Sequence, residues 1–152
     1  MKINKFEFFL GSGFLTGYIP FASGTFGSFI ATLLYYFIPN FEKPYIIFPF
    51  IIITFFYGIY IAQKFEMKYG KDPAQCTIDE FVGTWIALFL LPKNLILISI
   101  AFVIWRLLDI VKPFPAKQAE KAKGGLGIML DDVVSGIYTF IIIKIIILLK
   151  II

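Results

Sequence analysis

The sequence contains no histidine and a single cysteine, Cys76. Without histidine the usual proton shuttle near neutral pH and the commonest metal ligand are both missing. Any catalysis must then run on carboxylates, lysine, hydroxyls or a metal-activated water. A lone cysteine permits no intramolecular disulfide and no Cys-x-x-Cys metal knuckle. Charge is scarce too, since Lys and Arg number 14 and Asp and Glu 10, together 16% of the chain. Residues 1–21 lack a clean apolar core ending in a small-residue cleavage site, so no cleaved signal is expected and insertion rests on the mature spans.

What fills the chain instead is hydrocarbon. Hydrophobic residues make up 59% of the 152 positions, against roughly 45–50% in soluble domains, and the mean hydropathy is +0.87. The chain is expected to be an integral membrane protein of one domain, 1–152, because a second core would leave each half very small. The net charge of +4 suits a surface facing anionic lipid head groups. Nucleic acid is not an expected partner, because the lysines are dispersed among short loops rather than gathered on one soluble face.

Hydropathy and breakers divide the chain into an all-α bundle of about five membrane-embedded helices plus an N-terminal interfacial helix. Residues 1–22 mix Lys2, Lys5 and Glu7 with phenylalanines and suit a helix lying on the membrane surface. Embedded helices are predicted from about Ser23 to Pro39, Tyr45 to Phe65, Ile78 to Leu91, Asn94 to Val111, and Asp131 to the C-terminus. The third has an apolar stretch short for a full crossing. If all five cross, Lys2, Lys5, Lys68, Lys71, Lys112, Lys117, Lys121 and Lys123 share one side, with Lys43, Lys93 and Lys150 on the other. The lysine-rich side is then cytoplasmic. It also collects Gly24 to Ser28, Asp72, Asp79, Glu80, Asp109, Asp131 and Asp132.

The one long polar run, Asp109 to Asp132, joins two apolar stretches and reads as a loop at the membrane edge. Asp131 and Asp132 are adjacent like charges at the predicted start of the last helix, where the dipole favours anions and a cation would relieve their repulsion. Gly124, Gly125 and Gly127 let the backbone approach a ligand, and four lysines offer point charges suited to phosphate. The plainer reading is an N-cap, a glycine turn and a solvated lysine fringe. Asp79 and Glu80 open the third helix beside hydrocarbon, where unpaired charge is expensive, although an acidic pair can simply serve a helix dipole. Arg106 and Asp109, three apart, share a helix face and can satisfy each other. Five carboxyl groups in one small volume would repel unless a hard divalent cation held them. Ser23 to Ser28 (SGTFGS) puts free backbone N–H groups at a helix start, a place for an anion or for close helix packing. Asp72-Pro73 reads as a turn.

Several phosphatase routes are excluded by what is missing. Position 82, six residues after Cys76, is Val rather than the Arg that a cysteine phosphatase loop requires. No Asp-x-Asp pair supports an aspartyl-phosphate, and no histidine exists to act as nucleophile. A metal-activated water is what remains.

Four stretches, GSGFLTGYIPFASGTFGS (11–28), DPAQCTIDEFVG (72–83), IWRLLDIVKPFP (104–115) and GGLGIMLDDVVSG (124–136), together resemble the phosphatidylglycerophosphatase A family over nearly the whole chain. Ser23 stands where a proline often precedes Gly-Thr in that family, and Cys76 where an aliphatic residue is common. The resemblance implies an all-helical, magnesium-dependent, multi-pass enzyme of the bacterial cytoplasmic (inner) membrane. Its reaction would be the hydrolysis of phosphatidylglycerophosphate to phosphatidylglycerol and phosphate. It points to Asp79, Glu80, Asp109, Lys112, Asp131 and Asp132 as catalytic, with Thr25, Gly27 and Ser28 in the glycine element. Carboxylate chemistry makes all five acids candidate ligands of Mg2+, with Lys112, Arg106 and the amides of residues 25–28 neutralising charge on phosphate. The rival reading is a membrane carrier or channel for a divalent cation or small anion. Transport favours acids near the bilayer midplane, and here they cluster at span ends.

Overall fold

The computed structural model describes residues 2–151. It is all-helical, with no strand among the described residues. Helix α1 (Lys5–Gly11) leads through a 3-10 turn (Thr16–Tyr18) into α2 (Ser23–Phe37), α3 (Pro44–Tyr69), α4 (Ile78–Ala87), α5 (Leu95–Val111), a short α6 (Ala116–Ala119) and α7 (Gly125–Leu148). The five predicted apolar helices are therefore present as α2, α3, α4, α5 and α7.

Two of them, α3 and α7, are long and apolar enough to cross a membrane. The outer face of α3 presents Phe48, Phe50, Ile53 and Phe56, exposed side chains that water would disfavour and lipid would cover. At 10 residues, α4 is about 15 Å long against a hydrocarbon core of roughly 30 Å. It is the innermost helix instead, buried along nearly its whole length and packed most extensively on α7. Gly136 makes that approach possible: a Cβ there would stand 2.7 Å from the Gly83 carbonyl oxygen.

Local chemistry explains three boundaries. Asn94 caps α5, its Oδ1 accepting from Ile96 N at 2.9 Å and Leu97 N at 3.2 Å. Helix α4 stops at Ala87, short of the expected Leu91: Pro92 disfavours helical backbone at Leu91, and Leu90 turns left-handed at φ +57°. The freed carbonyls find other partners: Tyr35 Oη donates to Leu91 O, and Lys144 Nζ donates to Leu90 O at 3.0 Å. Helix α7 begins six residues before the expected Asp131, so the glycines of 124–127 are its first turn rather than a free loop. Gly124 takes φ +66°, and a Cβ on Gly125 would lie 2.1 Å from Ile59 O, so this start is pressed onto α3. Gln63 Oε1 accepts the otherwise orphaned amide of Gly125 at 3.1 Å.

The N-terminal segment does more than rest on a surface. Phe6 and Phe9 are exposed, as an interfacial helix requires, yet Glu7 is buried in an ion pair with Lys64 of α3. The same Glu7 closes a capping box with Asn4.

Candidate active site

The starts of α2 and α4, the second turn of α7 and the end of α5 meet at one end of the bundle around an open cavity of about 240 Å3. Its lining is mostly polar and includes Asp79, Glu80, Asp109, Lys112, Asp131 and Asp132. All five carboxyl groups expected to converge do so, and all five residues are buried.

Within this group Asp109, Asp131 and Asp132 each bring one carboxylate oxygen to within 4.8 Å of the other two. Two oxygens bound to one ion lie up to about twice the metal–oxygen distance apart, roughly 4–5 Å for magnesium or calcium, so this trio fits a single hard cation. Asp79 Oδ1, Asp131 Oδ1 and Asp132 Oδ2 are buried without a hydrogen-bond partner among the described residues. Buried carboxylate oxygens left bare are costly, and a cation in the cavity would satisfy them. Asp131 and Asp132 are therefore not capping acids. They lie beyond the first turn of α7, where the dipole effect has faded.

Glu80 is engaged differently. It forms an ion pair with Arg106 and accepts from Ser28 Oγ at 2.7 Å, while Trp105 Nε1 donates to the same Ser28 oxygen at 3.1 Å. Arg106 also holds Asp109 Oδ2 at 3.1 Å, the helix-face pair that the spacing predicts. Arg106 thus stands behind two acids rather than among the residues lining the cavity. The cation that does line it is Lys112, whose Nζ lies 2.6 Å from Asp131 Oδ2 and 3.3 Å from Glu120 Oε2. Burial pushes the Lys112 ammonium towards losing its proton, but the Asp131 carboxylate, helped by Asp72 and Glu120, holds its pKa well above the usual lysine range. Lys117, Lys121 and Lys123 are exposed and stand outside the cavity.

In the glycine element, Ser23 and Gly24 line the cavity, while Thr25 does not. Gly27 is a packing residue, its missing Cβ leaving room for Thr77 and Glu80 of the α4 start, and Ser28 serves Glu80 from behind. Two further polar residues line the cavity, Asp72 and Thr77. Asp72 carries φ +46°, a conformation aspartate tolerates better than most residues, in what the sequence presents as a simple turn. Its place on the lysine-rich side was the available signal. Cys76 sits in the wall as a buried free thiol whose pKa burial pushes up, which keeps it from acting as a thiolate.

A bundle clothed in hydrocarbon, with carboxylates and one lysine gathered at the end of its helices, has the architecture of a lipid phosphatase. The phosphatidylglycerophosphatase A family model matches residues 9–147. The chain belongs to that family and is an enzyme, a lipid phosphomonoesterase. Its relatives include a phosphatidylglycerophosphatase A of Haemophilus influenzae, 37% identical over 88% of this chain and 84% of the relative. That of Escherichia coli is 31% identical over 90% and 81%. A protein of Bacteroides thetaiotaomicron named putative phosphatidylinositol-3-phosphatase is 38% identical over 90% of both chains. No solved structure matches the chain.

Proposed function

We propose that this protein hydrolyses the terminal phosphomonoester of phosphatidylglycerophosphate, releasing phosphate and phosphatidylglycerol, in a magnesium-dependent reaction at the cytoplasmic face of the bacterial inner membrane. The observation that carries this reading is the carboxylate trio of Asp109, Asp131 and Asp132 beside Lys112 in one open cavity at the end of the bundle. Mg2+ held by the trio, with Asp79 close by, would supply Lewis-acid polarisation of the phosphoryl group and a water acidic enough to attack at neutral pH.

The chain's own groups divide the remaining work. Lys112, charged throughout the physiological range, neutralises the phosphate oxygens as it enters. The start of α2 at Ser23 and Gly24 brings backbone to the cavity rim, where an anion can approach closely. Glu80 and Arg106 orient Asp109 from behind, so we assign Arg106 to positioning rather than to phosphate. The acyl chains stay in the bilayer against the apolar outer faces of the helices. A carrier or channel finds less support, since the acids gather at the helix ends rather than at mid-depth.

The name of the Bacteroides relative favours a second reading with the same chemistry, a phosphomonoester on an inositol head group. Phosphate release by the purified protein in detergent separates them, using phosphatidylglycerophosphate, phosphatidylinositol 3-phosphate and water-soluble glycerol 3-phosphate, each with magnesium or with excess EDTA. The expected result is magnesium-dependent release with phosphatidylglycerophosphate preferred. Preference for the inositol lipid would establish the second reading. Equal turnover of the soluble ester, or full activity in EDTA, would overturn both.

A further inference from the structure

Residues 11–18 fall within the stretch matched by the family model, yet none of them lines the cavity. Their contacts show what they hold. The wall of the cavity between α3 and α4 is the segment 72–77, and the N-terminal segment grips it through backbone and side chain alike. Thr77 N donates to Gly11 O at 2.9 Å. Gly17 lies so close to this wall that a Cβ there would stand 2.1 Å from the Gln75 carbonyl oxygen. Thr16 Oγ1 lies 3.1 Å from Thr77 Oγ1, both side chains buried. Thr16 Oγ1 also lies 2.9 Å from Gly13 O, an acceptor with no proton to give. The Thr16 hydroxyl has carbonyl acceptors in Gly13 O and, at 3.2 Å, Ser12 O, so it can donate there while accepting from Thr77.

The consequence appears at the first turn of α4. Thr77 is its N-cap and Glu80 stands three residues on, the spacing of a reciprocal capping box. Neither residue is used that way, and Thr77 makes no side-chain capping bond. Its hydroxyl is turned to Thr16, and the Glu80 carboxylate is turned to Ser28 and Arg106. The first turn of α4 therefore lacks its reciprocal cap, and its N-cap side chain is anchored to Thr16 instead.

We propose that Thr16 is a positioning residue for the reaction: by holding the Thr77 hydroxyl it sets the first turn of α4 so that Asp79 and Glu80 face the cavity, making residues 11–18 a brace of the active-site wall. The inference rests on the phosphatase reading for its kinetic consequence only. Its structural consequence is reported independently by Cys76, the buried thiol adjoining Thr77.

The test uses the full-length protein in detergent. Thr16→Val removes the hydroxyl while keeping the shape. It should lower kcat about 10- to 100-fold, the cost of a small misplacement, with KM within about twofold of wild type. It should also speed alkylation of Cys76 several-fold, and Thr16→Ser should restore both values. If Thr16→Val does not insert, Thr16→Ala is read in the same two assays. Thr77→Val should match the kcat loss, and the double variant should lose no more than either alone. Thr139→Val serves as control, since Thr139 is a buried threonine bonded to Ser135 O within its own helix and remote from the wall. Wild-type kcat and wild-type Cys76 reactivity in Thr16→Val would overturn the proposal, as would additive losses in the double variant or equal losses in Thr139→Val. If the wild type released phosphate from no lipid, the phosphatase reading would fall, while Cys76 reactivity would still decide whether Thr16 holds the wall.

Discussion

Lys112 Nζ stands 2.6 Å from Asp131 Oδ2 and ties the end of α5 to α7 across the cavity mouth. The lysine adopts left-handed backbone at φ +48° as the C-cap of α5, which turns its side chain back over the acids instead of out to solvent. One residue thus ends a helix, neutralises an acid and presents the cavity with its positive charge.

Lys112→Met should accordingly lower phosphate release by about 100-fold, the loss expected when one charge-stabilising group is removed. Its pH signature follows from the sign of the shift. A lysine raised above its unfolded value stabilises fully below about pH 10.4 and loses that contribution only as pH climbs through the raised value. The difference in melting temperature between wild type and Lys112→Met should therefore stay flat from neutral pH to about 10 and shrink only above it. A difference that vanished near neutral pH would show that the pair does not form.

The acids should separate by what they touch. Asp109→Asn, Asp131→Asn and Asp132→Asn each remove charge from the trio, and each should cost about 100-fold or more in activity and raise the magnesium needed for half-activation. Arg106→Gln disturbs the same acids from behind and should cost about 10-fold. Manganese binding followed by electron paramagnetic resonance gives a readout independent of turnover, and it should weaken most in the three aspartate variants. Unchanged binding in all three would remove the trio as the metal site.

Most of the fold was legible because hydropathy and helix breakers act locally. Asn94 and the Lys112-Pro113 step mark ends that tertiary packing leaves nearly in place, while α4 stops four residues short of the end expected before Pro92. Convergence of the five acids could also be read, since charge beside hydrocarbon has few places to go. What sequence does not display is how each acid is paired. Glu80 lies next to Asp79 in the chain, yet it turns to Ser28, 52 residues away, and to Arg106. The glycines of 124–127 read as a loop because glycine is a poor helix former, whereas here the missing side chains of Gly124 and Gly125 let α7 touch α3. The buried Glu7–Lys64 pair escaped notice for the same reason, because two charges 57 positions apart carry no local signal.

That close approach makes a prediction about stability. A methyl group on Gly125 would meet the Ile59 carbonyl oxygen at 2.1 Å and the Gln63 amide nitrogen at 2.6 Å, both backbone atoms that cannot swing aside. Gly125→Ala should destabilise the protein by about 1–3 kcal/mol, as overpacking does, although alanine is the better helix former. Thermal unfolding in detergent measures it. An alanine variant as stable as wild type would mean that α3 and α7 sit further apart than described.

Orientation supplies the last prediction. Lys117, Lys121 and Lys123 are exposed on the segment between α5 and α7, at the same end of the bundle as the cavity, and lysines are hard to translocate. Cys76→Ser provides the background, and it should remain active because the native thiol is buried, protonated and unpaired with any base. Single cysteines at 117, 121 or 123 in that background should resist impermeant thiol reagents in intact cells and react once the membrane is opened. Cysteine at 43, on the α2–α3 connection at the opposite end, should react from outside. Lys93 Nζ bonds Ile38 O and pairs with Glu42 at 3.2 Å, so the loops of that end stay together and cysteine at 93 should label with cysteine at 43. The reverse labelling pattern would put the acids on the outer face and overturn the cytoplasmic orientation.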